Sequence, residues 1–386
     1  MHFLFSTFGS AGDVFPLLGL ALELRRRGHR VTLATNEHFA GLAAEHDVPF
    51  VVLGDEAGFQ ACIRHPDLWH PQRSFAHVVS SMRPVMKRLY EIYVEQAATG
   101  PLVGITSCFG FGALLAQEKL QVPVITVHLQ PSVIWSDYAP PTLAGVRGPR
   151  WFKSLMFRIG ERFFVDPVIC PFLNAWRREL GLPPVSRIVR WWNSPLGVLC
   201  LFPEWFAPPQ PDWPRPLMMA DFPLWNPRAD EPLEADVAAF LAAGDPPIAF
   251  TPGSSNVHGQ RFFAAALEAC QTLGRRGIFL THYPEQLPSA LPAGVAHFRY
   301  VPLDPLLPRC AAFVHHGGIG SMSQGLLAGI PQVLMPLAHD QFDNAARVRQ
   351  LGVGASLSEP RFTGRRLAAA LQPLLNSRAV TDACRL

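Results

Sequence analysis

Two stretches of the chain share one local pattern, in which a short apolar run ends in a glycine-rich turn and a helical segment follows. The first runs through HFLFST, FGSAGD, VFPLLGLALELRRRG and HRVTLAT. The second begins at PPIAFTPGSSN and continues with RFFAAALEACQTLGRRG and IFLTH. Alternation of strand, turn and helix is typical of βαβ units, whose strands form a parallel sheet. The sequence therefore predicts an α/β chain with two Rossmann-like, doubly wound domains.

The spacing of these patterns suggests where the domains end. A chain of 386 residues suits two or three domains. We expect an N-terminal domain over residues 1–221 and a polar, proline-containing linker over 222–236. A C-terminal domain over 237–386 would follow. Residues 131–225 are dense in Pro and Trp and predict a loop-rich, aromatic region. The 38 prolines argue against long regular helices in the middle of the chain.

Composition excludes several classes of function. A net charge of +3 is too small to indicate nucleic-acid binding. The start, MHFLFSTFGSAGD, lacks the charged region and long apolar run of a signal peptide, and we find no apolar window long enough to span a bilayer. The seven scattered cysteines show no metal-ligand spacing. We expect a cytoplasmic protein with reduced thiols and no metal site.

Ligands of doubly wound sheets bind where the strands end, so the turns hold the candidate site residues. In FGSAGD, Asp13 would lie near the start of a helix. Capping that helix is the commonest task for Asp there, and the residues alone slightly favour it. The alternative is a general base, with a pKa raised by the neighbouring apolar side chains Phe8, Val14 and Phe15.

Two turns in the second half suit an anion. TPGSSN offers the hydroxyls of Ser254 and Ser255 and backbone N–H groups before a helix, although many strand–helix turns look similar. HHGGIGS ends a buried strand on an imidazole and opens a helix with glycines. We predict that a diphosphate binds here through His315, Gly318, Gly320 and Ser321. For His316, packing and ligand contact are equally expected.

A fourth candidate lies in HDQFDNA, just after another strand end. The carboxylate of Asp340 and the amide of Gln341 have the donors and acceptors needed to bind neighbouring hydroxyls of a sugar. Taken alone, capping of the next helix is the better reading of this stretch.

Together, the order of these turns resembles the GT-B nucleotide-sugar glycosyltransferases of the UDP-glycosyltransferase superfamily, family 1. The resemblance covers nearly the whole chain. GSAGDVFP, SPLGVLCLFPEWFAPPQPDWPRPL, RGIFLT, HHGGIGSMS and AHDQFDNA look like its bacterial branch, and most like the rhamnosyltransferases of rhamnolipid synthesis. The resemblance implies two Rossmann-like domains that face each other across a cleft. The domain over residues 1–221 would bind the acceptor, and the domain over 237–386 would bind the nucleotide-sugar. It also implies an inverting hexosyltransferase without a metal or other cofactor, whose co-substrate is a nucleotide-sugar.

The resemblance also assigns roles to the candidate residues. Asp13 would be the catalytic base that deprotonates the acceptor. The diphosphate would lie on Ser254, Ser255 and the turn from His315 to Ser321. Tyr300 would stack on the nucleobase while the Val301 backbone hydrogen-bonds it. The donor sugar would contact Asp340 and Gln341.

One departure from the family bears on the donor. Relatives that use UDP-sugars often carry Glu shortly after the glycine turn to bind ribose hydroxyls, whereas this chain has Ser323 and Gln324. The departure favours a dTDP-sugar, and the resemblance implies dTDP-L-rhamnose. Family members usually continue with helices that pack back onto the first domain, so we expect a truncated chain or one without its closing helix.

The acceptor side is defined less sharply. Residues 65–85 and 131–160 are rich in Phe, Trp, Met and Val, which suits either core packing or an apolar channel for a lipid-like acceptor such as a 3-hydroxyacyl chain. Such an acceptor would bring the protein to the cytoplasmic face of the inner membrane as a peripheral protein. The alternatives are a UDP-glucose-dependent glucosyltransferase acting on a polyphenol, sterol or polyketide, a non-catalytic subunit that binds a nucleotide-sugar or lipid, and a UDP-sugar epimerase.

Overall fold

A computed structural model describes residues 1–143, 146, 148–228 and 231–385. The chain divides into two compact units. Unit 1 comprises Met1–Leu68 and Gln72–Trp225, and unit 2 comprises Trp69–Pro71 and Asn226–Leu386. Each unit has its own parallel sheet and its own hydrophobic core.

Unit 1 is built on a seven-stranded parallel sheet. The strands are β1 His2–Ser6, β2 Arg30–Asn36, β3 Phe50–Gly54, β4 Leu102–Ser107, β5 Val124–His128, β6 Val198–Leu201 and β7 Leu217–Ala220. Their order in the sheet is β3-β2-β1-β4-β5-β6-β7. The central strand β1 reads almost continuously apolar because helices cover both faces of such sheets.

Eight α-helices surround this sheet in the described part of the chain. They are α1 Ala11–Arg26, α2 Ala40–Glu45, α3 Glu56–Arg64, α4 Ser74–Ala97, α5 Phe111–Leu120, α6 Arg150–Gly160, α7 Asp166–Glu179 and α8 Ile188–Trp191.

A π-helical turn, Glu161–Val165, joins α6 to α7, so that helix continues from Arg150 to Glu179. The prolines of the sequence argue against long regular helices in the middle of the chain. This helix is long but is made irregular by its π-helical turn, whereas α4 runs for 24 residues with Pro84 inside it, contrary to that expectation. Pro167 falls in the first turn of α7, directly after the π-helical turn, where the regular hydrogen-bond ladder is already interrupted.

An ion pair between the buried side chain of Arg177 and the half-buried side chain of Glu118 ties α7 to α5. The guanidinium of Arg177, 2% exposed, donates to the two carboxylate oxygens of Glu118 at 2.8 and 2.7 Å. Its Nε donates to the carbonyl of Pro183 at 2.6 Å, and the indole of Trp191 donates to Glu118 at 2.9 Å. Both charged groups are thus hydrogen-bonded, which the burial of the Arg177 charge requires.

Unit 2 repeats the design with six parallel strands. These are β8 Ile248–Thr251, β9 Gly277–Leu280, β10 Val295–Phe298, β11 Ala312–His315, β12 Gln332–Leu334 and β13 Gly354–Ser356, in the order β10-β9-β8-β11-β12-β13. The helices are α9 Ala235–Ala242, α10 Gln260–Leu273, α11 Leu303–Leu306, α12 Ile319–Leu327, α13 Gln341–Gln350, α14 Gly364–Asn376 and α15 Arg378–Cys384.

Both sheets reverse their strand order beside a central strand, between β1 and β4 in unit 1 and between β8 and β11 in unit 2. Doubly wound sheets bind ligands at such a switch point, beyond the carboxyl ends of the strands. The turn with Asp13 follows β1, and the two predicted anion turns follow β8 and β11. The topology therefore places the main candidate turns at the edges where ligands bind.

All seven cysteines are free thiols. Burial raises the pKa of every one of them, to about 12 for four and to about 11 for Cys170. Burial also raises the pKa values of Cys62 and Cys384. The thiolate is the reactive form of cysteine, so these thiols, which stay protonated at neutral pH, react slowly.

Candidate active site

Asp13 lies in the first turn of α1 and completes a capping box with Ser10. Its Oδ2 accepts hydrogen bonds from the Ser10 N–H at 2.9 Å and from the Ser10 hydroxyl at 3.4 Å. Gly9, at φ +113°, leaves the room for this arrangement, because a Cβ there would lie 2.2 Å from Oδ2. Helix capping, which the residues alone favour, is therefore one task of Asp13.

The surroundings of Asp13 also prepare it for proton transfer. Burial raises its pKa from 3.8 to about 6, while the hydrogen bonds from Ser10 oppose part of that rise. A carboxyl with this pKa is mostly ionised at neutral pH and still a stronger base than ordinary Asp. The same burial raises the pKa of Cys108 to about 12, and the charge of Asp13 adds to the effect. Cys108 is thus a neutral neighbour of the carboxylate.

Buried hydroxyls support the turn from behind. The Thr7 hydroxyl donates to the backbone carbonyl of Asp13 at 3.1 Å, and the Ser6 hydroxyl donates to Thr106 Oγ1 across the β1–β4 pair at 2.7 Å. Sequence reasoning missed these residues. The sequence feature that would identify them is a hydroxyl residue at or next to the last position of the two central strands, β1 and β4.

In unit 2, the first anion turn lies after β8. Gly253 has φ +101°, Ser254 is exposed and Ser255 is half-buried. The predicted helix RFFAAALEACQTLGRRG corresponds to α10, which begins at Gln260, five residues after Ser255. The helix dipole acts within about one turn, so it does not reach the serines. Their hydroxyls and the backbone N–H groups are what this turn offers to an anion.

His315 is fully buried at the end of β11 and does not face a ligand. Its Nδ1 accepts the Gly317 N–H at 3.0 Å, so its Nε2 carries the proton and donates to Gln332 Oε1 at 2.8 Å. Burial lowers its pKa to about 3, so the ring is neutral. Since both ring nitrogens are engaged within the protein, the ring of His315 fixes the shape of the turn. The prediction that it binds diphosphate directly does not fit this geometry.

His316 is the imidazole that lies between the two anion turns. A Cβ on Gly253 would come within 2.8 Å of its Cε1, and a Cβ on Gly318 within 2.6 Å of its Nε2. Among the described residues its buried Nδ1 has no hydrogen-bond partner. Burial, followed by the charge of His339, lowers the pKa of His316 to about 4. From the sequence alone, packing and ligand contact are equally expected for His316. The geometry favours His316 over His315 as the imidazole that contacts an anion.

Gly318 is the N-cap of α12, which places Gly320 and Ser321 in the first helical turn. The N–H groups of a first turn have no partner within their own helix and suit an anion. Asp340 Oδ2 accepts the N–H of Ile319 at 3.2 Å. This hydrogen bond joins the start of α12 to the start of α13.

Asp340 and Gln341 have different surroundings. Asp340 is half-buried, and its Oδ2 also accepts from Asn344 Nδ2 at 2.6 Å. Gln341 is 2% exposed, and its Oε1 accepts the N–H groups of Leu337 and Ala338 at 2.7 and 3.2 Å. The Oε1 of Gln341 thus shapes its own loop. Asn344, which also donates to Gly317 O at 2.9 Å, is a site residue that the sequence analysis missed.

The two predicted nucleobase residues differ in exposure. The Tyr300 ring is half-buried, its hydroxyl donates to Asn226 Oδ1 at 3.1 Å, and the guanidinium of Arg228 lies 5.7 Å from the ring centre. The Val301 side chain is 4% exposed and packs in the core, which leaves only its backbone for a ligand. Aromatic contact through Tyr300 stays a prediction.

No group of three or more His, Cys, Asp or Glu side chains in the described part of the chain is arranged to hold a metal ion. No helix within the described ranges is both long and apolar enough to cross a bilayer.

Comparison with known families agrees with this picture. The family described as "Glycosyltransferase family 28 N-terminal domain" matches residues 3–134. The family described as "Erythromycin biosynthesis protein CIII-like, C-terminal domain" matches residues 278–385. The two matches fall in unit 1 and unit 2, respectively.

Curated relatives extend over nearly the whole chain. Glycosyltransferase GtfC of Amycolatopsis orientalis is 30% identical, with 99% of this chain and 93% of the relative covered. Vancomycin aglycone glucosyltransferase of the same organism is 29% identical, covering 97% and 90%. O-mycaminosyltylonolide 6-deoxyallosyltransferase of Streptomyces fradiae is also 29% identical, covering 97% and 89%.

Solved structures show the same architecture. The glycosyltransferase of kitacinnamycin superposes with a TM-score of 0.75 at 23% identity, covering 100% of this chain and 93% of that one. Glycosyltransferase VinC in complex with dTDP gives 0.71 at 20%, covering 100% and 94%. The predicted α/β fold of two Rossmann-like, GT-B-type domains is confirmed.

The chain is a GT-B glycosyltransferase, an enzyme whose co-substrate is a nucleotide-sugar. It belongs to the family of bacterial glycosyltransferases that includes GtfC of Amycolatopsis orientalis.

Proposed function

We propose that the enzyme transfers L-rhamnose from dTDP-L-rhamnose to the hydroxyl of a lipid-like acceptor such as a 3-hydroxyacyl chain. The sequence motifs support this proposal through their resemblance to the rhamnosyltransferases of rhamnolipid synthesis. Because that acceptor is amphipathic, the proposal includes peripheral association with the cytoplasmic face of the inner membrane.

The observation that carries the choice of donor is the composition of α12. The segment IGSMSQGLL contains no carboxylate. The Ser323 hydroxyl donates to its own helix, at Gly320 O, and Gln324 is half-buried with an Oε1 that lacks a partner among the described residues. A carboxylate here would bind ribose hydroxyls, and dTDP lacks the 2′-hydroxyl. VinC with dTDP supports this choice of nucleotide, and the 6-deoxyallosyltransferase supports a 6-deoxy sugar.

In the proposed mechanism, Asp13 accepts the proton of the acceptor hydroxyl as that oxygen attacks the anomeric carbon. The bond from that carbon to the diphosphate oxygen breaks on the opposite face, which inverts the configuration. The departing diphosphate gains negative charge, and preorganised donors lower the barrier. We assign those donors to His316, the first turn of α12 and the serines after β8.

The side chain of His316 suits this task because its pKa of about 4 keeps the ring neutral, with one N–H to donate. His315 acts behind it as a positioning residue. Asp340 is the proposed contact to the sugar, and Gln341 shapes the loop that presents it.

Isothermal titration calorimetry with dTDP and UDP tests the donor. We expect dTDP to bind at least about tenfold more tightly, and Gln324→Glu to shift the preference toward UDP by supplying the missing carboxylate. Gln271→Glu makes the same charge change at an exposed position of α10 and should leave the ratio unchanged. Tighter UDP binding by the native chain would overturn the dTDP assignment.

A second candidate is a UDP-glucose-dependent glucosyltransferase acting on a polyphenol, sterol or polyketide. It is supported by the relatives, one of which is named for glucosyl transfer to the vancomycin aglycone and another for O-mycaminosyltylonolide. Mass spectrometry of reactions with dTDP-L-rhamnose and UDP-glucose, each offered a 3-hydroxyacyl chain and a polyketide, separates the two. A product with UDP-glucose and the polyketide alone would replace the first proposal.

A further inference from the structure

Unit 1 carries an exposed apolar surface on α6 and the π-helical turn. Trp151, Leu155, Phe163 and Phe164 are 69%, 48%, 67% and 69% exposed, and we call them the α6 ridge. Three of them follow a spacing of four along one helix, with half-buried Ile159 between Leu155 and Phe163. Residues four apart lie on one side of a helix. The side chains therefore form one continuous surface.

This degree of exposure is unusual within the protein. Apart from Met1, the three aromatic side chains of the ridge are the most exposed large hydrophobic residues in the described part of the chain. Single exposed apolar residues need no explanation, but a contiguous patch marks an interaction site. The core-facing residues of the same helix, Ser154 and Phe157, are buried, so α6 is firmly seated on unit 1.

The charge around the ridge indicates what it meets. Four cations, Arg150, Lys153, Arg158 and Arg162, lie in the same stretch of helix. The one acidic residue of that stretch, Glu161, is 7% exposed and faces Arg187 at 3.5 Å.

Two of the four cations have contacts of their own. Arg158 pairs with Asp137, and the guanidinium of Arg150 lies 4.9 Å from the ring centre of Tyr138. Both are at the surface, and Lys153 and Arg162 add two more charges beside the ridge. The surface therefore combines exposed aromatic rings with net positive charge.

We propose that the α6 ridge docks on the surface of an anionic phospholipid bilayer. Trp and Phe bury into the boundary between headgroups and acyl chains, while Lys and Arg meet the lipid phosphates. Charge complementarity favours this partner over a second copy of the protein, because a two-fold contact through the ridge would bring like charges together. The inference rests on the proposed function for its biological purpose, and vesicle binding tests it without any transfer reaction.

Cosedimentation of the full-length protein with vesicles tests the apolar part. We expect binding to vesicles of equal parts phosphatidylglycerol and phosphatidylcholine, and at least about tenfold weaker binding by the triple variant Trp151→Ser, Phe163→Ser, Phe164→Ser. Trp205→Ser is the matched control, since Trp205 is 59% exposed and lies outside the ridge. Unchanged far-UV circular dichroism and an unchanged urea-unfolding midpoint show that unit 1, which carries the substituted residues, is folded in each variant.

The electrostatic part has its own variant. Lys153→Gln with Arg162→Gln should weaken binding to the anionic vesicles about fivefold for each charge removed, and salt should weaken binding by the native protein. Equal binding of the native protein and the triple variant, or no vesicle binding at all, would overturn the proposal. A native dimer that the triple variant abolishes, with no vesicle binding, would assign the ridge to a second copy instead.

Discussion

Replacement of Asp13 by Asn is expected to stabilise unit 1 at neutral pH. Burial raises the folded-state pKa of this carboxyl from 3.8 to about 6, so the folded protein holds the proton more tightly than the unfolded chain does. Stability therefore falls as the pH rises from 3.8 to about 6, and the loss is complete above that range. A shift of about two units corresponds to about 3 kcal/mol of unfolding free energy at most, since Asp13 is partly exposed.

Asn keeps an acceptor for the Ser10 N–H but carries no charge to desolvate. Asp13→Asn should thus exceed the native protein in unfolding free energy by up to about 3 kcal/mol near pH 8. Near pH 4.5, where the folded carboxyl is already protonated, the same linkage leaves about 1 kcal/mol. The proposed mechanism adds that turnover is lost while dTDP affinity is retained, because the base acts on the acceptor.

Urea unfolding followed by tryptophan fluorescence isolates the relevant unit. Eight of the nine tryptophans lie in unit 1, and the ninth, Trp69, is in unit 2. Asp47→Asn, at a side chain that is 87% exposed, serves as the control and should show no comparable pH-dependent gain. A variant of Asp13 that is no more stable than the native protein near pH 8, or a gain that does not change with pH, would refute the linkage.

Two further substitutions probe unit 2 and the pair of Arg177 with Glu118. Gly318→Ala places a Cβ 2.6 Å from His316 Nε2 and should weaken dTDP binding about tenfold by calorimetry, whereas Gly294→Ala, with open space around it, should not. Equal affinities of these two variants would contradict the placement of His316. Arg177→Ala removes the buried partner of the Glu118 carboxylate, which is itself 34% exposed, and we expect a loss of about 2–3 kcal/mol in urea unfolding. A loss below about 1 kcal/mol would show that the pair relaxes into solvent.

Local pattern predicts much of the fold. The run HFLFST contains β1, and α1 ends just before Gly28, whose φ of +84° suits glycine after a helix. Strand ends and glycine turns also place Asp13 and the turn after β11 at the correct edges of their sheets. The long helix from Arg150 to Glu179 escapes the same reasoning, because its prolines read as breaks unless the π-helical turn before Pro167 is known.

The choice between neighbouring side chains depends on contacts distant in sequence. His315 and His316 are adjacent, and neighbours on an extended backbone point to opposite sides. The ring of His315 points into the core, where it hydrogen-bonds Gln332, a residue 17 positions further along the chain. The side-chain oxygen of Gln341 is likewise occupied within the protein, because it accepts hydrogen bonds from backbone N–H groups of its own loop. Sequence reasoning locates these turns at the ends of strands, but it does not tell which side chains of a turn make contacts within the protein.

The low reactivity of the natural cysteines makes the protein suitable for site-specific labelling. Because burial raises the pKa of all seven cysteines, a maleimide at neutral pH should react far more slowly with them than with an ordinary surface cysteine. A single cysteine introduced at an exposed helical position, such as that of Glu91, whose side chain is 59% exposed, is then the preferred target on a native background. Fluorophores or spin labels can be attached to either unit without first removing the natural cysteines.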